Sequence, residues 1–528
     1  MSIELPTRPT CPACGSTKVG TLAKEITKDT AWRCASCGET FKAPKVGLSR
    51  GAWLPPDNYQ EHDEAPKLAR RTSPTNIGMG LLSTLAAHDL GYLTTDALTE
   101  RLARTLTTLE GLERYRGHFL NWYDTATLAP LHPRYVSTVD SGNLAGAVGA
   151  LAQGLLALAV RPQTRRQLLD GLADTATLLV DASSTKPSTA GERDTAITVN
   201  RLARAIVDAA RRSESGDTEP QLRVLAVELA ALSAGDPLDD AGDLAFWRRA
   251  VLNAIEAIQT PRAATHDVCD ALARRATALG DAMRFDFLYH RRKRIFSIGY
   301  RLADAEGPGQ LDASFYDLLA SEARLASFVA IAKGDVPQHH WFHLGRLVTN
   351  VNGRATLVSW GGTMFEYLMP LLLMRNFPGT LLDQSCRSSL RRQIDYARHR
   401  GVPWGISESA YSATDRAGNY QYRAFGVPGL GLKRDLADDL VVAPYATALA
   451  SLIYPAGAAD NFARLTAAGL NGRFGFYESI DYRPRLADAD RAPDDVSRPA
   501  IVRAFFAHHQ GMRVEVKACG SAGFSSSF

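Results

Sequence analysis

Apolar residues recur at spacings of three and four along most of the first half of the chain. The pattern runs through residues 77–90, 94–111, 143–160, 164–181, 195–213, 219–234, 243–258 and 265–282. That period places one apolar stripe on each of a series of amphipathic helices. Polar breaks separate them, notably 183–194 and 213–219, so Ala- and Leu-rich pairs are expected to form helical hairpins packed in layers. From residue 283 the texture changes. Residues 285–287 and 296–300 read as strand or loop, and the basic run 291–294 between them as a solvated loop. A helix is predicted over 312–333, short strands within 348–360, and helices over 363–376, 381–400, 436–453, 458–469 and 497–510. The count predicts an all-α fold with long loops gathered at one end of a helical barrel.

One stretch escapes both periods. Residues 396–434 set Gly405, Gly418, Gly426, Gly429 and Gly431 among Trp404, Tyr411, Tyr420, Tyr422 and Phe425, with Glu408 between two serines. So many aromatics argue against disorder, so the stretch reads as a long ordered loop. Aromatic faces, permissive backbone and a lone acid point to a sugar-binding cleft. A loop packed on the core for structural reasons fits the residue types equally well.

Composition narrows the classes. The 528 residues suffice for a large core and a small second domain. With 60 Lys and Arg against 56 Asp and Glu, the net charge of +4 gives no reason to expect a nucleic-acid partner. No apolar run is expected to reach membrane-span length, and the N-terminus MSIELPTRPT has no apolar signal core, so the expected compartment is the cytoplasm. Four of the seven cysteines form Cys11-x-x-Cys14 and Cys34-x-x-Cys37, with Gly15 and Gly38 directly after each pair. Two such knuckles supply four thiolates to one closed tetrahedral site, so residues 1–46 are expected to form a zinc ribbon with a structural, non-catalytic metal.

The candidate acids come from four places. Glu322 falls on the apolar stripe Phe315, Leu318, Leu325, Val329 of the 312–333 helix, where burial would raise its pKa as a general acid needs. A buried Glu–Arg pair is the alternative. Glu366 closes Thr363-x-x-Glu366, a capping box by spacing. Glu478 sits in a second Gly/aromatic loop, and Asp140 precedes a helix that it could cap. His508 and His509 read as polar core histidines for want of a further metal ligand. Trp341, Trp360, Trp404, Tyr420, Tyr422 and Phe425 could stack on sugar rings or fill the core.

Long ordered motifs then tie these residues together: RTSPTNIG (71–78), NWYDTATLAPLHPRYVSTVDSGNLAG (121–146), LDASFYDLLASEARLASFVAIAKGDVP (311–337), SWGGTMFEYLMP (359–370), VPWGISESAY (402–411), YQYRAFGVPGLGLKR (420–434), GFYESIDY (475–482) and AFFAHHQGM (504–512). They resemble the cyclisation domain of bacterial cyclic β-1,2-glucan synthases, of the glycoamylase-like group of (α/α)6-barrel proteins. The resemblance covers residues 47–512. It implies a retaining transglycosylase acting on linear β-1,2-glucan, with Glu322 as acid/base and Glu408 as nucleophile. Glu366 and Glu478 would line the cleft, with Asp140 and the aromatics binding substrate. The family's glycosyltransferase and phosphorylase-type regions have no counterpart here, and the zinc ribbon is not part of its pattern. Residues 513–528, polar and Ser-rich, are expected to form a disordered tail.

Overall fold

The computed structural model describes residues 53–61, 66–184, 190–212, 218–232, 242–259, 266–304, 307–437, 439–472, 474–483 and 499–521, and three short strands nearer the N-terminus. The chain divides into two compact units, Met1–Trp53 and Leu54–Phe528. In the first, strands Val19–Thr21, Ala31–Cys34 and Thr40–Lys42 form an antiparallel sheet in that order, with Trp32 opposite Thr21 on one side and Phe41 on the other. Cys11, Cys14 and Cys37 lie outside the described residues, as does the side chain of Cys34.

The second unit is helix-rich. Its first eight helices follow the apolar period closely: α1 (Pro74–Asp89), α2 (Thr95–Gly111), α3 (Thr138–Val160), α4 (Arg165–Ser183), α5 (Ala190–Arg211), α6 (Thr218–Ala231), α7 (Asp243–Gln259) and α8 (His266–Ala282). Side chains of Ser73, Thr94, Ser137 and Thr164 accept backbone N–H bonds at the starts of α1 to α4. They satisfy donors that the first helical turn leaves unpaired. Helix α3 packs against α1, α8 and α9 (Arg324–Ala332). Contrary to the expectation above, α3 is long and apolar enough to cross a membrane by length and composition. Ala, Gly and Leu make up 15 of its 23 residues, and Leu144, Val148, Leu151 and Leu155 are buried within the helical layers.

Two hydrophobic cores result. One runs from Leu54 to Val516 and joins α1, α2, α3 and α8 to the second half of the chain. The other belongs to α4–α7, a four-helix insertion between α3 and α8 closed by Leu172, Leu202, Ile206, Leu222, Val251 and Ile255.

The second half departs from the helical reading. The helix predicted over 312–333 is confined to α9. Upstream of it, Phe315–Tyr316 pairs antiparallel with Ile295–Ser297, and a tight turn follows in which Ser321 N donates to Leu319 O. The apolar spacing there reports burial from two different local structures. The short helices α10 (His339–His343) and α11 (Met364–Leu368) precede α12 (Leu381–Arg400), and α11 passes into a 3-10 turn at Met369–Leu372. Strand Val441–Val442 replaces the start of the predicted 436–453 helix, leaving α13 (Pro444–Ser451), which is followed by α14 (Pro455–Ala467). The predicted 497–510 helix is instead the strands Ala500–Val502 and Ala504–Phe506, then α15 (Ala507–Ser521). Residues 513–521 thus continue a helix instead of opening a disordered tail, and Arg513 and Lys517 bond to Phe476 and Asp174. Residues 291–294 form an exposed turn as expected. Strands from the early and late parts of the second unit meet in one sheet, where Asn58–Gln60 lies between Lys67–Ala69 and Ala504–Phe506.

Candidate active site

The 396–434 stretch is not one loop. It opens with the last turn of α12, stopped by Gly401 at φ +70°, a left-handed cap that glycine enters without strain. It then holds a β-hairpin, Ser409–Thr414 against Tyr420–Arg423, with Ala410 opposite Tyr422 and an irregularity after Tyr411. Glu408 sits immediately before the first strand. Its backbone is clamped from both sides. Gln393 donates to Ile406 O at 2.7 Å and accepts from Ile406 N at 2.9 Å. Ser407 Oγ accepts from Phe365 N at 3.0 Å, and the Tyr445 hydroxyl lies 2.7 Å from Ser407 Oγ and 2.9 Å from Glu408 O.

Glu322 stands in the turn before α9, not on a helical stripe. Arg324, itself buried, donates to Ser321 O at 2.9 Å, Glu366 O at 2.6 Å and Tyr367 O at 2.6 Å. It ties this turn to α11 through carbonyls and makes no direct ion pair with Glu322. The Glu322 carboxylate accepts a long bond, 3.4 Å, from Ser321 Oγ. Both acids are recessed but keep some solvent contact. Burial, then the Glu366 charge, pushes Glu322 up to about 7. Burial, then the Glu322 and Glu366 charges, pushes Glu408 up to about 8, against a hydrogen bond from Tyr422 that pulls it down. The two acids therefore share one electrostatic environment, and near neutral pH like-charge repulsion keeps a proton on the pair.

Glu366 does close a capping box. Its carboxylate accepts from Thr363 N, Gly361 N and Ser359 Oγ, each at 2.9 Å. With its oxygens held by the protein, it acts on the site through charge and not as the cleft-lining ligand expected. Asp140 is not the cap of α3, a part taken by Ser137. It accepts from Thr75 Oγ1 at 2.6 Å and Asn121 Nδ2 at 3.0 Å, and its charge raises both Glu408 and Tyr316. Glu478 is almost fully buried, 3.0 Å from His509 Nδ1.

The aromatics divide. Trp360 and Tyr422 stay 47% and 41% exposed, so each has a face to offer a ligand. Trp360 is oriented by its indole N–H, which donates to Asp317 at 2.9 Å. Trp404 and Phe425 are buried in the main core, which removes them as stacking platforms. Trp341 and Tyr420 are half-buried against hydrophobic clusters. Sequence reasoning missed Tyr316. Its phenol is surrounded by Glu322, Asp140, Tyr135 and Glu408, and burial with those charges holds it protonated. Only its strand pairing brings it there, and no motif spacing reports that.

Two glycine-rich segments join at this point. Leu430 O accepts from Ser359 N and Ser359 O from Leu432 N, both at 3.0 Å. A Cβ on Gly426 would stand 1.8 Å from Gly361 O, and one on Gly431 2.6 Å from Gly362 N. Backbone lies directly on backbone, which only glycine permits.

A family model, Glycoamylase, matches residues 314–517, the span that holds Glu322, Glu366, Glu408, Glu478 and His509. The chain thus carries a glycoamylase-like domain. Over 489 residues it is 40% identical to the cyclic β-(1,2)-glucan synthase NdvB of Rhizobium meliloti (strain 1021), a match covering 88% of this chain and 17% of the synthase. The chain therefore spans a small part of that relative's length. Among solved structures, an endo-β-1,2-glucanase from Talaromyces funiculosus in complex with sophorose aligns with a TM-score of 0.51 at 11% identity, over 91% of this chain and 84% of its own. An endo-β-1,2-glucanase from Chitinophaga pinensis, in complex with sophorotriose and glucose, aligns with a TM-score of 0.50 at 12% identity, over 91% and 89%. At such identities the likeness is one of fold.

Proposed function

We propose that the glycoamylase-like domain is a retaining transglycosylase that closes linear β-1,2-glucan into a ring. The observation that carries this reading is the pair Glu322 and Glu408, both recessed, both raised by burial and by one set of neighbouring charges. The 40% identity to a cyclic glucan synthase supports the substrate class. The helical layers around the pair are read as an (α/α)6 barrel.

In the first step the Glu408 carboxylate attacks the anomeric carbon, while Glu322 gives its proton to the departing glycosidic oxygen. In the second, Glu322 takes the proton of a 2-hydroxyl at the chain's own far end, and that oxygen displaces Glu408. A tethered hydroxyl outcompetes water because of its high effective concentration. Asp140 accepts from a substrate hydroxyl, and Trp360 and Tyr422 pack on sugar faces. In the N-terminal unit, the donor set of Cys11, Cys14, Cys34 and Cys37, with Cys34 ending the central strand of the small sheet, fits a structural zinc.

The test is to incubate the purified protein with linear β-1,2-glucan and weigh the products. Rings, lighter than the linear chain of equal length by one water, support the proposal. Shorter linear glucans alone would make the protein an endo-β-1,2-glucanase. No change in the glucan would remove both readings.

A further inference from the structure

A line of polar groups runs from Glu408 away from the cleft. The Tyr422 hydroxyl acts on the Glu408 carboxylate, lowering it against burial, and lies 3.4 Å from His509 Nε2. His509 Nδ1 lies 3.0 and 3.1 Å from the two oxygens of Glu478. Three separate segments supply these groups: the hairpin strand Tyr420–Arg423, the start of α15 and the loop before Ser479. The imidazole is pinned flat under the Tyr445 ring, with centroids 3.6 Å apart and planes at 9°. Glu478 also accepts from Ala410 N at 3.1 Å, on the strand opposite Tyr422.

A phenol and a neutral imidazole each have one proton to give along such a line. Two arrangements satisfy every link. In one, protonated Glu478 donates to Nδ1, Nε2–H donates to the Tyr422 oxygen, and Tyr422 donates to the Glu408 anion. In the other every proton is shifted by one place: Glu408 is protonated and donates to Tyr422, Tyr422 donates to Nε2, and Nδ1–H donates to the Glu478 anion. Only the first leaves Glu408 able to attack.

We propose that Glu478 stores the proton Glu408 gives up before attack, delivered through Tyr422 and His509, so that Tyr422, His509 and Glu478 are positioning residues for the nucleophile. The proposal rests on the reading of Glu408 as nucleophile. The transfer conserves protons, because one leaves Glu408 and one arrives at Glu478. The two ends are closely matched, since Glu408 and Glu478 are both pushed up to about 8. Burial pushes Glu478 up to about 8, although the charges of His508 and Arg513 oppose it, and Asp57 adds to it. Burial and Arg513 hold His509 well below its ordinary value, so the imidazole relays without becoming a cation. At the other end, Glu322, Glu366 and Asp140 face Glu408 and raise it, and the Tyr422 bond is what offsets them. Arg513 donates to Phe476 O and Gln510 Oε1, both at 2.9 Å, and does not pair with Glu478.

Imidazole nitrogen chemical shifts of His509 in the whole protein give a readout that needs no substrate. The expected form at neutral pH carries its proton on Nε2, and a proton on Nδ1 would overturn the proposal. Tyr422→Phe keeps the ring but breaks the line. It should move the acid limb of the kcat profile up by about one pH unit or more, a tenfold loss per unit on that limb, with KM little changed. Glu478→Gln keeps a donor toward Nδ1 and an acceptor for Ala410 N, so its acid limb should stay at or below that of the parent. Coincident limbs for Tyr422→Phe and the parent, or a limb that rises in Glu478→Gln, would overturn it. A parent without activity on β-1,2-glucan would defeat the functional reading, while the nitrogen shifts would still decide the arrangement of protons.

Discussion

The α4–α7 insertion and the acid-bearing second half hold their shapes in different ways. In the insertion, aliphatic stripes meet in a private core, and many side-chain bonds to backbone stay within a helical turn, as when Thr175 donates to Gly171 O. In the second half, the bonds that fix the site cross long stretches of chain. Ala410 N reaches Glu478, Ser412 reaches Asp481, and His508 reaches Asn76. Helices bury surface, which tolerates exchange of one apolar residue for another of similar size. A polar network tolerates little, because a lost partner leaves a buried group unsatisfied. The chemistry sits where the second kind of bonding dominates.

That contrast can be broken by substitution. Glu408→Gln should have the largest effect, a loss of at least about 10³-fold in kcat, read from glucan products under saturating substrate. The same variant should unfold at higher temperature above neutral pH than the parent. The sign follows from the raised pKa: the folded state holds a proton that the unfolded chain releases near pH 4.5, so stability falls as pH rises through about 8, and a neutral amide removes that loss. An unfolding midpoint that drops instead would place Glu408 in the fold's support. Glu322→Gln should lose about 10²–10⁴-fold on glucan and much less on a substrate whose leaving group needs no protonation. Added azide should partly restore turnover there by acting as acceptor, giving a β-glycosyl azide.

The pH profile sharpens the same point. Glu408 must be ionised and Glu322 protonated, whereas their raised values of about 8 and about 7 favour the opposite placing of the shared proton, so the productive form is the minor one of a coupled pair that titrates near neutrality. A narrow bell is expected, with the alkaline limb lost in Glu322→Gln, and a flat profile from pH 5 to 9 would contradict the pairing. Leu202→Ala, in the private core of the insertion, should lower stability by about 2–5 kcal/mol and leave kcat unchanged. The smallest effect belongs to the N-terminal unit. Metal analysis should find about one zinc per chain, and a chelator that removes it should change glucan turnover less than twofold.

The difference between the halves also decides how much could be read beforehand. Eight helices through Ala282 were legible because apolar period and capping residues agree locally, as Thr164 and Gln167 do at α4. Glu322 and Glu408 were legible as candidates from their motifs, yet Glu322 was assigned to a helix that begins two residues later. Its apolar neighbours Phe315 and Leu318 face the core from a strand and a turn, and a spacing of three cannot tell these from one helical face. Trp404 and Phe425, candidate stacking faces by residue type, are core residues for a related reason. Residue type signals ligand contact and core packing alike, and only long-range pairing separates them.

The seam between residues 359–362 and 426–432 bears on how this domain can vary. A single methyl at Gly426 would collide with Gly361 O and push the two segments apart. Trp360 is carried on one side of that seam and the Glu366 cap is fastened to it through Gly361 N. Neutral drift at these glycines is therefore closed off by backbone packing alone. New specificities would have to be sought at the rim, around Trp360, where a side chain can change without moving the backbone beneath it.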